Sequence, residues 1–114
     1  MKKANRQVLL YKRHFLDFYD AQPLKVQEKI EWTLGMIRDF NLIPEKYLKH
    51  IEGTKGLYEI RVQSGNNIYR IFCFFDSGNV IVLGNAFHKK TKKTPVVEII
   101  KAIKIMGEYF NEKK

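Results

Sequence analysis

The sequence contains a single cysteine, Cys73, so no internal disulfide can form. Because Cys73 lies in an apolar run it reads as a buried, inert thiol, and redox chemistry is not expected. Long hydrophobic runs are also missing. Stretches such as Ile71 to Phe75 reach only four or five residues, whereas a membrane span requires roughly 20. Met1-Lys2-Lys3 is followed by Ala4-Asn5-Arg6-Gln7 and not by an apolar stretch, so no secretory signal is read and a cytoplasmic location is expected. The three histidines, His14, His50 and His88, lie far apart, with no cysteine or carboxylate at metal-ligand spacing, so neither a metal nor another cofactor is expected. A phosphate-cradling glycine loop and a Gly-x-Ser-x-Gly elbow are absent as well. No repeat, low-complexity stretch or linker divides the chain, and 114 residues fit one domain.

Negative charge is scarce. Lysine and arginine number 21 against 12 for aspartate and glutamate, and the net charge of +9 points to an anionic partner. No acidic residue occurs between Asp76 and Glu98, an interval that holds Lys89, Lys90, Lys92 and Lys93. A lysine cluster suits a solvated surface as well as a nucleic-acid site, so topology has to discriminate.

Apolar periodicity supplies that topology. Arg6 to Tyr11 reads as a short buried strand. His14 to Tyr19 carries Phe15, Phe18 and Tyr19 at helical spacing, and Pro23 opens a second helix reaching about Phe40. On that helix Val26, Ile30, Thr33, Ile37 and Phe40 form a stripe with Trp32, Leu34 and Met36 at its margins, and its aromatic members read as packing groups. Asn41 to Thr54, with Pro44 and Gly53, reads as a connection with one helical turn near Glu45 to Leu48. The pattern then changes to period two. Leu57 to Val62, Ile68 to Phe75 and Val80 to Phe87 read as strands separated by hairpin signals, Ser64-Gly65-Asn66-Asn67 and Asp76-Ser77-Gly78-Asn79. Thr94-Pro95 looks like an N-cap and first-turn pair for a last helix with Val96, Ile99, Ile100, Ile103, Met106 and Phe110 at helical spacing. The expected class is α+β: an N-terminal strand, two helices, a three-stranded antiparallel meander and a C-terminal helix.

Two-residue turns at Gly65-Asn66 and Ser77-Gly78 define the hairpin registers. The first places Arg61 opposite Arg70 and Glu59 opposite Phe72. The second places Arg70 opposite Asn85 and Phe72 opposite Leu83. Arg61, Arg70, Asn85 and Phe87 then share one open face, while Tyr58, Ile60, Val62, Tyr69, Ile71, Cys73, Val80 and Val82 face the helices. Facing arginines repel unless an anion or a carboxylate such as Glu59 lies between them. With His88 and the lysines at the same end of the sheet, this surface suits phosphate, and RNA or DNA becomes the favoured ligand.

The segments Leu48 to Arg61 (Leu-Lys-His-Ile-Glu-Gly-Thr-Lys-Gly-Leu-Tyr-Glu-Ile-Arg), Tyr69-Arg70-Ile71-Phe72 and Phe87 to Pro95 (Phe-His-Lys-Lys-Thr-Lys-Lys-Thr-Pro) resemble the RelE/ParE superfamily of toxin-antitoxin toxins, nearest its phage-derived, HigB-like branch. The resemblance spans nearly the whole chain. It implies a RelE-like toxin that cleaves messenger RNA on the ribosome and is neutralised by a cognate helix-turn-helix antitoxin. It further implies metal-free attack of a ribose 2′-hydroxyl on the adjacent phosphate. On this resemblance Arg61 and Arg70 are catalytic candidates that stabilise phosphorane charge, and His88 is a candidate acid. Lys90 is a catalytic candidate too: with Lys89 it either neutralises phosphate, transfers a proton or docks the ribosome. Lys55, Asn85, Lys89, Lys92 and Lys93 are RNA-binding candidates. Glu59 either orients Arg61 or serves as base. A ParE-like gyrase inhibitor and an inactive remnant that binds RNA or antitoxin are the alternatives, and the oligomeric state is left open.

Overall fold

The computed structural model describes residues 5–113; Met1 to Ala4, where the reading of no export signal begins, lie outside the described residues. The elements run β1 (Gln7–Leu10), α1 (His14–Asp20), α2 (Leu24–Asp39), β2 (Leu48–His50), β3 (Leu57–Ser64), β4 (Asn67–Asp76), β5 (Val80–Lys89) and α3 (Val96–Glu112). They form one sheet in the order β1-β5-β4-β3-β2, with β1 parallel to β5 and the other pairings antiparallel. The expected α+β order is therefore present, with one addition. Leu48-Lys49-His50 pairs with Ile60, Glu59 and Tyr58 as an edge strand, directly after the turn expected near Glu45 to Leu48, which is present: the Tyr47 and Leu48 amides both donate to the Pro44 carbonyl. Three residues are too few to display a period.

Helices cover both faces. On one, Phe15, Val26, Ile30 and Ile37 pack against Ile60, Val62, Tyr69, Ile71, Cys73, Ile81 and Leu83. On the other, Ala102 and Tyr109 of α3 pack with Leu57, Phe72, Phe74 and Val82. Val80 and Val82 thus lie on the face opposite to the one expected, because the second hairpin does not turn as its sequence suggests. Its loop has three residues, Ser77-Gly78-Asn79, between Asp76 and Val80, with left-handed Ser77 and Gly78. Within β5 the pairing then slips by one more residue between Cys73↔Leu83 and Ile71↔Ala86. Gly84 and Asn85 together oppose Phe72, as in a β-bulge, and a glycine inside a strand is the usual mark of one. The first hairpin does follow the two-residue register: Ser64 pairs with Asn67 across Gly65-Asn66. Gly65 has φ 60°, the positive value that the first position of a type II′ turn demands.

α3 begins one residue later than Thr94-Pro95 suggests. Pro95 occupies the cap position and no side chain caps the helix. Its buried line is Ala102, Ile105 and Tyr109, so Val96, Ile100, Ile103 and Phe110 of the expected core stripe are exposed instead. Phe40 is likewise exposed, just past the end of α2. The Cys73 thiol is buried, and burial pushes its pKa well above the ordinary thiol value. Among the described residues no helix is long and apolar enough to cross a membrane.

Candidate functional site

Strand alternation brings Arg61 of β3 and Arg70 of β4 side by side, directly paired as the first hairpin register requires. Two adjacent guanidinium groups repel, and the carboxylate that relieves this comes from the same strand two residues earlier. Glu59 Oε2 accepts a hydrogen bond from Arg61 Nε at 2.9 Å and lies 3.4 Å from Arg70 Nε. Its other oxygen, Oε1, accepts from Thr94 Oγ1 at 3.3 Å. The Thr94 hydroxyl therefore ties the start of α3 to the arginine pair instead of capping the helix. Glu59 is buried and engaged at both oxygens, which makes it an orienting group for two arginines.

Arg70 is only 7% exposed, in place of the open position expected, on the sheet face against which α3 packs. Its Nη1 donates to the Tyr69 carbonyl at 3.2 Å, while its buried Nε has no hydrogen-bond partner of good geometry. Burial, partly offset by Glu59 and reinforced by Arg61, lowers the pKa of Arg70, but an arginine stays charged regardless. An incompletely satisfied buried cation favours an incoming anionic oxygen.

Beside Arg61 and Arg70 opens a cleft of about 490 Å³, walled on the far side by Lys29 and Thr33 of α2 and by Lys46 and Tyr47. Chain geometry creates it. β2 covers β3 only as far as Ile60; the Arg61 amide then bonds to the Tyr47 carbonyl at 2.8 Å, and the edge beyond Arg61 is left open.

The other candidates scatter around this centre. Lys89 pairs with Ile68 on the arginine side of the sheet and is half-buried. Burial first, then the charge of Arg70, lowers its pKa from the ordinary value of 10.5. Lys90 is exposed beyond the last residue of β5, and Lys92 and Lys93 follow it on the surface. His88 falls on the opposite face by strand alternation, stacked on its cross-strand partner Tyr69 with ring centroids 4.7 Å apart. The bulge also relocates Asn85, which is buried and donates to the Glu98 carbonyl and carboxylate, both at 3.3 Å. It anchors α3. Lys55 is exposed in the turn before β3, on the order of 13 Å or more along the strand from Arg61 at 3.3 Å per residue. Among the described residues no three His, Cys, Asp or Glu side chains gather as a metal site.

Residues 17–107 match the family described as Phage derived protein Gp49-like (DUF891). The chain belongs to the Gp49-like family. No curated protein matches this Gp49-like chain. Among solved structures its fold is similar to one from the archaeal RelE-RelB complex of Pyrococcus horikoshii OT3, with a TM-score of 0.55 and 17% identity over 74% of this chain and 94% of that one. The Gp49-like chain therefore has the RelE fold, as the three sequence motifs imply. Sequence reasoning passed over members of its site: Thr94 as a partner of Glu59, and Lys29, Lys46 and Tyr47 on the cleft wall. Lys46 and Tyr47 precede a strand that no period announces, and Thr94 occupies a position where helix capping is the ordinary role.

Proposed function

We propose that the chain is the toxin of a toxin-antitoxin pair and acts as a metal-independent endoribonuclease on messenger RNA held by the ribosome. The observation that carries this reading is the Glu59-held pair of Arg61 and Arg70, with Arg70 buried and its Nε, 3.4 Å from Glu59, lacking a well-formed hydrogen bond, beside an open basic cleft. In the proposed reaction a ribose 2′-oxygen attacks the adjacent phosphorus and the P–O5′ bond breaks, the departing 5′-oxygen taking a proton from water, which leaves a cyclic phosphate and a free 5′-hydroxyl. Arg61 and Arg70 meet the negative charge that develops on the phosphorane oxygens, the position where fixed donors act most strongly. Lys89 accepts the 2′-proton: it lies on the same face, and its lowered pKa enlarges the neutral fraction near physiological pH. Lys90, Lys92 and Lys93, exposed beyond β5, serve the ribosome and the RNA backbone electrostatically.

An antitoxin is the proposed partner, and α3 offers it a surface. Val96, Ile100, Ile103 and Phe110 form an exposed apolar line along the helix, with Ile100 at 61% exposure. Lys101 and Lys104 are exposed on one flank. That combination fits an amphipathic antitoxin segment with acidic flanks, whereas a second copy of so basic a chain would be repelled. Ile100→Asp should weaken the complex without changing the fold.

Induction of the chain should arrest growth, and primer extension on transcripts from the arrested cells should reveal new 5′ ends. Arrest with intact transcripts contradicts ribonuclease action, and inhibition of gyrase supercoiling by the purified protein would replace it.

A further inference from the structure

The arginine cleft continues beyond the arginines. It shares Lys29, Gln63 and Gly65 with a second depression that Lys25, Glu28, Trp32 and Ser64 complete. Trp32 is 52% exposed, so it is not the packing group its place at the margin of the α2 stripe suggests. Its ring meets Tyr47 edge to face with centroids 5.9 Å apart, and Tyr47 lines the arginine cleft itself. Two lysines rest on these rings: Lys29 Nζ lies 4.7 Å from the Trp32 centroid and Lys46 Nζ 5.6 Å from that of Tyr47. On the other side of the arginines the cleft shares Ile68 with a shallow groove that holds Lys89, Lys90 and Lys92. A basic track thus follows this end of the sheet, and Glu28 is the one carboxylate among the residues lining these three depressions.

From this arrangement we infer that Tyr47 and Trp32 form a base-stacking subsite for single-stranded RNA next to the phosphate held by Arg61 and Arg70. The inference rests on the arginine pair as the phosphate site and adds where the neighbouring nucleotides lie. A strand fixed at the arginines passes through the cleft, and its bases lie on the rings. Lys29 and Lys46 leave the ring faces for the phosphates, a favourable exchange because a lysine over an exposed ring is weakly held while a base on an aromatic side chain is held firmly. Every base has a stacking face, so this subsite contributes affinity and positioning with little sequence preference.

Trp32 is the only tryptophan in the chain, so its emission reports on the subsite directly. The probe is a six-nucleotide single-stranded RNA with 2′-O-methyl groups, which cannot be cleaved, titrated into the full chain at low salt. Saturable quenching of Trp32 emission is expected. Tyr47→Ser should weaken binding of the labelled oligonucleotide about tenfold, as expected for loss of one stacking contact. Replacing Lys29 and Lys46 together by alanine should flatten the logarithmic salt dependence by about 1.4, at roughly 0.7 per phosphate contact on a single strand. Binding that leaves the emission unchanged overturns the inference, as does no binding at low salt or full affinity in Tyr47→Ser. Failure of the enzymatic reading is a separate result: quenching without cleavage of any RNA keeps the subsite and removes the ribonuclease. Unimpaired cleavage by both Tyr47→Ser and Trp32→Leu keeps the ribonuclease and removes the subsite.

Discussion

Replacing Glu59 separates the folding and functional duties of the arginine pair. With Glu59→Ala, Arg61 and Arg70 lose the carboxylate between them, and breaking a buried pair in this way typically costs about 3 to 5 kcal/mol. A thermal melt should show a large drop in Tm. Arg70→Lys leaves the carboxylate paired with Arg61 and Thr94, so the fold should persist while cleavage falls sharply, because an ammonium cannot reproduce the two-pronged contact of a guanidinium with phosphate. Lys89 gives a pH signature. Its pKa is lowered in the folded chain and only the neutral amine accepts a proton, so the single-turnover rate should rise with pH and level off below the ordinary lysine value of 10.5. Lys89→Arg keeps the positive charge but has no accessible neutral form, and both the rise and the rate should be lost. A rate for Lys89→Arg that matches wild type would leave Lys89 with only an electrostatic role.

α3 is the element that closes the arginine face, and polar contacts anchor it at both ends. Near its start Asn85 donates to Glu98, and near its end the buried Asp76 accepts from Tyr109 at 2.6 Å and from Lys113. Lys113, with Tyr109, holds the Asp76 carboxyl below its ordinary value of 3.8, whereas the partnering Asp76 pushes the Tyr109 hydroxyl up to about 12. The folded state therefore binds fewer protons than the unfolded state around pH 3 to 4, roughly the range just below the free carboxyl pKa. Stability from this contact is complete above that range and is lost as pH falls through the folded pKa. Asp76→Asn should lower Tm at neutral pH and flatten its decline in acid; an unchanged acid limb would show that Asp76 does not hold α3. The period of α3 was plain in the sequence but its orientation was not, since apolar residues occupy both its buried and exposed sides. For β5 the meander was legible and its register was not: the Asp76-Ser77-Gly78-Asn79 signal admits loops of two or three residues. Only Gly84 hinted at the bulge. That slip decides which residues the arginines meet, so Arg61 opposite Arg70 was readable from the first hairpin while the places of Asn85 and Phe87 were not. Trp32 illustrates a different limit, because period alone does not reveal that β2 stops short and leaves the α2 margin uncovered.

For the molecule as a whole, the net charge of +9 sets long-range attraction to nucleic acid, and the arginine pair sets what happens at one phosphate. Salt distinguishes the two. Binding to ribosomes should weaken steeply as salt rises, with lysines beyond β5 contributing similar increments, whereas cleavage by an already bound toxin should change little. The most direct test of the central claim is single-turnover cleavage by Arg70→Ala at saturating ribosome concentration, where docking is no longer limiting. Loss of one charge-stabilising donor predicts a rate about a hundredfold to a thousandfold below wild type, with the fold retained in a parallel melt. Cleavage at the wild-type rate under saturation would contradict the account and reduce Arg70 to a docking residue.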